Sequence, residues 1–249
     1  MASPLPIQSS YRAALLECHW AAQLPAAASQ LLPERADFSH TNLLVEDGVL
    51  RGRPLPDGRR VELDLAALRL RVGDADLELE GRTFDTAIHW LSDQLGASVK
   101  PLCHDLPTRA QDRPFARLGA EAQLQAWFDL AQRRLSEVAE RCGGGEVRVW
   151  PHHFDIATLI ELDRSGGEDA RSINVGLSPG DAAYAEPYWY VTPWPKPSRP
   201  LPELSAGRWH TEGFTAAVLP ASQLTLDRLE QAVAGFLAAS VANCRALLG

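Results

Sequence analysis

Six consecutive residues, Trp150-Pro151-His152-His153-Phe154-Asp155, hold two imidazoles, a carboxylate and two aromatic rings. A histidine beside a carboxylate can serve as a general base whose tautomer the carboxylate fixes, and the same pair suits a metal ion. The run that follows, Ile156 to Leu162, alternates as a strand does. Extended back through 153, one regular strand would put His153 and Asp155 on one face, Cβ atoms roughly 6.5–7 Å apart, with His152 and Phe154 on the other. His210 and Glu212 repeat the two-residue spacing on a later stretch.

Three readings follow. The first is a small-molecule pocket on a C-terminal sheet, with Asp155, His153 and His210 as acid–base residues. His152, Trp150, Glu186, Trp189, Tyr190 and Trp209 would line it with flat, apolar and hydrogen-bonding surface. The second is a metal-dependent enzyme in which His153, Asp155, His210 and Glu212 converge, a donor set suited to zinc, iron or manganese. It lacks the fixed spacing of a helical zinc motif. The third is a structural or protein-interaction domain in which these groups satisfy buried backbone and pin strand register. The sequence identifies no cofactor. There is no P-loop, and Gly143-Gly144-Gly145 ends a helix instead of opening one.

The elements that would position these residues are legible from periodicity. Residues 11–31 read as a helix broken or kinked at Pro25, and His19 and Trp20 within it point about 100° apart. From Asn42 the period changes to two. Asp47-Gly48 marks a type I′ hairpin, Pro56-Asp57-Gly58 a second turn, and the strands to about Glu80 form an antiparallel meander with one wet, charged face. Thr83 to Leu95 is an amphipathic helix stopped by Gly96, and Gly119 to Cys142 a longer one. Between them lies a proline-containing connection, 97–118, of the length expected for a lobe boundary or a functional cover; its Cys103, His104 and Asp105 could form a nucleophile or ligand set but read first as part of a surface loop. After the chemistry-bearing stretch come a glycine-containing turn at 164–169, a strand at 172–177, the aromatic strand Tyr188 to Thr192, a strand from Phe214 to Leu219 and a terminal helix N-capped by Thr225. The expected fold class is α+β: antiparallel sheets with packed helices, a single 1–249 domain built as two similar lobes, 1–118 and 119–249, each running helix, β meander, helix.

Composition bounds the rest. A chain of 249 residues with 45% hydrophobic residues can bury a core without metal or disulfide staples. Its four cysteines form no C-x-x-C pair and read as free thiols of a reducing cytoplasm. A formal charge of −8 argues against bulk binding to nucleic acid or to anionic membrane. No secretory signal is expected, and no stretch is expected to reach the roughly 20 apolar residues of a membrane helix, because the most apolar segment, Leu226 to Leu248, is interrupted by charges. Oligomeric state is not encoded in any of these features. The arginine and alanine bias suggests a GC-rich bacterial genome.

Taken in order, Trp-Pro-His-His-Phe-Asp at 150–155, Gly-Leu-Ser-Pro-Gly-Asp at 176–181, Glu-Pro-Tyr-Trp-Tyr-Val-Thr-Pro-Trp-Pro at 186–195 and Trp209-His210 resemble a bacterial family of domains of unknown function. The likeness is specific over 146–219 and architectural over 11–142. In that family the second histidine position is often serine. The resemblance therefore implies that His153 is not an obligatory metal ligand and that Phe154 and Asp155 carry more weight. It implies one continuous protein and no particular reaction.

Overall fold

The computed structural model describes residues 3–102, 104–110, 112–163 and 170–249. Cys103 and the expected turn at 164–169 lie outside the described residues. The fold is α+β, with helices packed on antiparallel sheets. The chain divides into two compact units: residues 1–129 with 148–154, and residues 130–147 with 155–249. The division falls within a helix and within the chemistry-bearing stretch, not in the 97–118 connection.

The first unit begins with α1 (Tyr11–Ala27), whose Ala14, Cys18, Ala21, Ala22 and Leu24 are wholly buried. Pro25 lies inside α1 near its end, and the chain tightens three residues later into a 3-10 turn at Ala28–Leu31. The meander follows: β1 (Leu44–Glu46), β2 (Val49–Arg51), β3 (Val61–Asp64), β4 (Arg69–Val72) and β5 (Ala75–Glu78), hydrogen-bonded in that order. Asp47 and Gly48 both take positive φ, 52° and 77°, as a type I′ turn requires. Leu50, Val61, Leu63, Leu70 and Val72 point into the core. On the other face charges alternate across the strands, with Arg51 bonding Glu46 and Glu62, and Arg69 bonding Glu78. In α2 (Phe84–Leu95) the Thr83 hydroxyl accepts from the Thr86 N–H and Gly96 closes the helix at φ 65°, as the sequence indicates.

α3 (Glu121–Cys142) gives its first turns to this unit through Leu124, Trp127 and Phe128. The Glu121 side chain accepts the N–H groups of Leu118 and Gly119, so the helix starts two residues later than expected. β6 (Arg148–Trp150) adjoins the loop before β1, Leu43 and Val149 exchanging both backbone bonds. The 97–118 connection is tied to one stripe of α1. Gln23 bonds His104, the Trp20 indole donates to the Pro107 carbonyl, and the wholly buried Glu17 carboxylate takes Arg109, Arg113 and the Ala116 N–H. Residues 17, 20 and 23 recur at three-residue spacing, so one helical face takes His104, Pro107, Arg109, Arg113 and Ala116.

The second unit contains β7 (Asp155–Glu161), β8 (Ser172–Ser178), β9 (Tyr188–Trp194), β10 (Arg208–His210), β11 (Ala216–Pro220) and α4 (Leu229–Leu248). Its strands run in the order β10-β11-β9-β8-β7. Ile156, Ile160, Ile173, Val175, Leu177, Trp189, Val191 and Leu219 form its buried apolar row, and α4 packs against β8 and β9. The terminal helix starts at Leu229 after a 3-10 turn at Leu226–Arg228, and Thr225 makes no side-chain cap bond. One expectation is corrected. By length and composition Leu226–Leu248 is long and apolar enough to cross a membrane, with mean hydropathy 1.3 and a third of its most apolar window buried. Its charges gather at the two ends, leaving Ala232 to Ala242 free of them.

Candidate functional site

Phe154 decides the geometry of the chemistry-bearing stretch. Its φ is 58°, a left-handed conformation that a bulky aromatic rarely adopts, and its N–H returns to the Trp150 carbonyl at 2.6 Å. A strand cannot pass through that conformation. Residues 151–154 therefore form a turn, β7 starts only at Asp155, and the expected strand pairing of His153 with Asp155 is not formed. The surroundings hold the strained residue in place. The Phe154 ring is fully buried, lies flat on His19 (centroids 5.0 Å apart, planes within 8°) and packs against Phe128 at 5.1 Å. The Pro151 carbonyl accepts two hydrogen bonds from α1, from His19 Nε2 at 2.8 Å and Gln23 Nε2 at 2.7 Å.

This turn gathers histidines from three segments of the first unit. The His152 ring lies 4.4 Å from His153, 5.7 Å from His104 and 6.0 Å from Trp150, measured between centroids. His19 is buried beneath them. Hydrogen bonding settles two tautomers. Gln23 Nε2 serves two carbonyls, His19 O and Pro151 O, so its Oε1 faces His104 and can only accept. His104 Nδ1 therefore carries the proton at 2.8 Å from Gln23, and in the neutral ring Nε2 presents its lone pair. His19 Nε2 likewise donates to Pro151.

Burial pushes the His19 pKa down to about 4, the neighbouring His104 and His153 lowering it further against the bond to Pro151, which raises it. His152 also falls to about 4, through partial burial and then the charges of His153 and His104. His104 is lowered by burial and by His153. At neutral pH His19 and His152 are thus uncharged. His152 and His153 lie at the surface and His104 is half-buried.

A second polar cluster belongs to the second unit. The Tyr190 hydroxyl donates to Asp155 Oδ2 at 2.5 Å, and the Tyr188 hydroxyl donates to Asp181 Oδ2 at 2.6 Å. Asp181 also accepts the N–H groups of Ala183 and Tyr184, which fixes the turn before β9. Burial raises both phenol pKa values, and the adjoining carboxylates raise them further. Gly176, opposite Tyr190, leaves room for the phenol: a Cβ there would lie 2.4 Å from the hydroxyl and 2.7 Å from the Ile156 carbonyl.

The remaining expected site residues are dispersed. His210 donates through Nε2 to the Glu212 carbonyl at 2.7 Å and accepts at Nδ1 from Tyr184 at 3.0 Å, so both ring nitrogens are committed. β8, β9 and β11 lie between the strands of Asp155 and His210, about 19 Å at ordinary strand spacing. A single pocket using both is not formed. The Glu186 carboxylate accepts from Ser222 N and Oγ, capping the 3-10 turn Ala221–Gln223. Trp189 is wholly buried in the core, and the Trp209 indole donates to the Pro202 carbonyl. Trp150, His152 and His153 do come together. Among the described residues no group of three or more His, Cys, Asp or Glu side chains is disposed to hold a metal ion.

Sequence reasoning missed His19, Gln23 and His104 as partners of the turn. The i, i+4 spacing of His19 and Gln23 on one helix face was the available signal. Comparison of the chain with protein-family models, curated proteins and solved structures finds no match.

Proposed function

We propose that this protein binds a small molecule at the histidine cluster of its first unit, formed by His104, His152 and His153 beside Trp150. The observation that carries this reading is the convergence of four of the chain's seven histidines, from α1, the 104–116 connection and the 151–154 turn, on backbone held in a costly conformation. The fixed His104 tautomer adds a directed lone pair, suited to accept a hydrogen bond or a proton from a bound ligand. Catalysis by proton transfer at His104 Nε2 would use the same geometry. The tyrosine–carboxylate cluster of the second unit reads as structural, because its hydroxyls are buried and spent on carboxylates. The metal-dependent alternative has less support, given the separation of Asp155 from His210.

The test is a histidine-selective NMR screen of the full chain against a library of small neutral, cationic and anionic compounds. Binding that shifts His104, His152 and His153 together supports the reading. It is lost if no compound shifts them, or if hits move only His210 and Tyr190.

A further inference from the structure

Resting on that reading, the structure also bears on what class of ligand the cluster takes. The charges acting on three of its rings are those of neighbouring histidines. His104 feels His153, His152 feels His153 and His104, and His19 feels His104 and His153. Of the acids on the same elements, Glu17 on α1 is committed to Arg109 and Arg113, and Asp105 beside His104 is exposed. Among the described residues, no carboxylate is among the charges that act on His19, His104 and His152, in a chain with 32 acidic and 24 basic residues. Like charges 4.4–5.7 Å apart repel strongly in a partly desolvated site, so a second ring protonates there only when a counter-charge arrives.

We infer that the ligand of this cluster is a small oxyanion, bound together with a proton. The oxyanion accepts from His104 Nε2–H once that nitrogen is protonated, and from the surface rings of His152 and His153. His104 is the pivot, because its Nδ1–H stays on Gln23 in both charge states and only Nε2 changes from acceptor to donor. Trp150 at the edge of His152 gives a flat organic anion an apolar wall. A transition metal would behave oppositely, displacing protons and binding more tightly as pH rises.

The experiment is isothermal titration calorimetry of the full chain with benzoate and with sulfate, neither of which titrates between pH 6.0 and 7.5, and with neutral benzamide as control. Each is run at both pH values in two buffers of different ionisation enthalpy. The expected result is uptake of about one proton and affinity about tenfold higher at pH 6.0 for one or both anions, with benzamide weak and pH-independent. Benzoate without sulfate marks the source as an organic carboxylate; both together mark any oxyanion. His104→Gln is expected to abolish the proton uptake. Because His104 also anchors the connection, His153→Gln at the surface is measured alongside and is expected to weaken anion binding severalfold. Anions that do not bind, or bind without proton uptake, overturn the inference. If benzamide or another neutral compound shifts the histidines while the anions do not, the inference falls and the binding site stands. Zinc binding with proton release at the same histidines also overturns it.

Discussion

The two polar clusters use their hydrogen-bonding groups in opposite ways. In the second unit each phenol donates to a carboxylate, Tyr190 to Asp155 and Tyr188 to Asp181, and burial drives the phenols away from ionisation. In the first unit the donors of His19 and Gln23 close on one backbone carbonyl, and the His104 Nδ1–H bond to Gln23 leaves the lone pair on the other ring nitrogen. Pairing of donor with acceptor makes a cluster a fastening. A directed group left over makes it a candidate for chemistry. Residue type alone does not separate the two, since both hold titratable groups beside aromatic rings.

The sharpest way to break this comparison is to disturb the fastening. Gly176→Ala places a methyl against the Tyr190 phenol and the Ile156 carbonyl, and is expected to cost about 3 kcal/mol in denaturant unfolding while the surviving folded protein keeps its histidine titrations. A loss below about 0.5 kcal/mol would show that the phenol has room to move.

Acid tests the other side. His19 is held near pKa 4 in the fold against 6.5 for the free side chain, so the unfolded chain binds more protons between those values. Its contribution is fully present above pH 6.5 and is lost as pH falls towards 4, by up to about 3 kcal/mol for this buried ring. His19→Phe, which retains a ring to stack on Phe154, is expected to flatten that part of the stability–pH profile. An unchanged slope would place the acid sensitivity elsewhere.

Tyr190→Phe removes one donor from Asp155 and is expected to cost about 1–2 kcal/mol by thermal unfolding, with no change at the histidines. The smallest effect is expected from Gln23→Leu, about 1 kcal/mol, because His19 still satisfies the Pro151 carbonyl. Its informative readout is spectroscopic. Ring-nitrogen NMR shifts of His104 should change from a single Nδ1–H tautomer to a mixture, and a tautomer unaffected by the loss of Gln23 would remove the pivot.

Short-range patterns in the sequence carried the local structure. Asp47-Gly48 adopts the turn its residues demand, Thr83 and Gly96 bound α2, and the two-residue period of the meander gives one buried and one charged face. These follow from backbone and side-chain preferences acting within a few residues, which is why they are legible one window at a time. The site was legible only as a stretch of interest. Trp150, His152 and His153 do meet, but Phe154 takes a left-handed φ that no local preference favours. That conformation is held by His19 and Phe128, residues distant in sequence, and it breaks the strand alternation on which the pairing of His153 with Asp155 relied.

The sequence by itself determined the fold class, the turns and caps, and the inventory of groups able to do chemistry. Tertiary structure alone decided which of those groups share a site. It committed His210 and Glu186 to their own loops, buried Trp189, set Tyr190 on Asp155, and brought His19, Gln23 and His104 to the 151–154 turn. The physical reason is range. Periodicity reports which face a residue is on, whereas hydrogen-bond partners more than 80 residues apart, such as Gln23 and His104, are set by packing between elements.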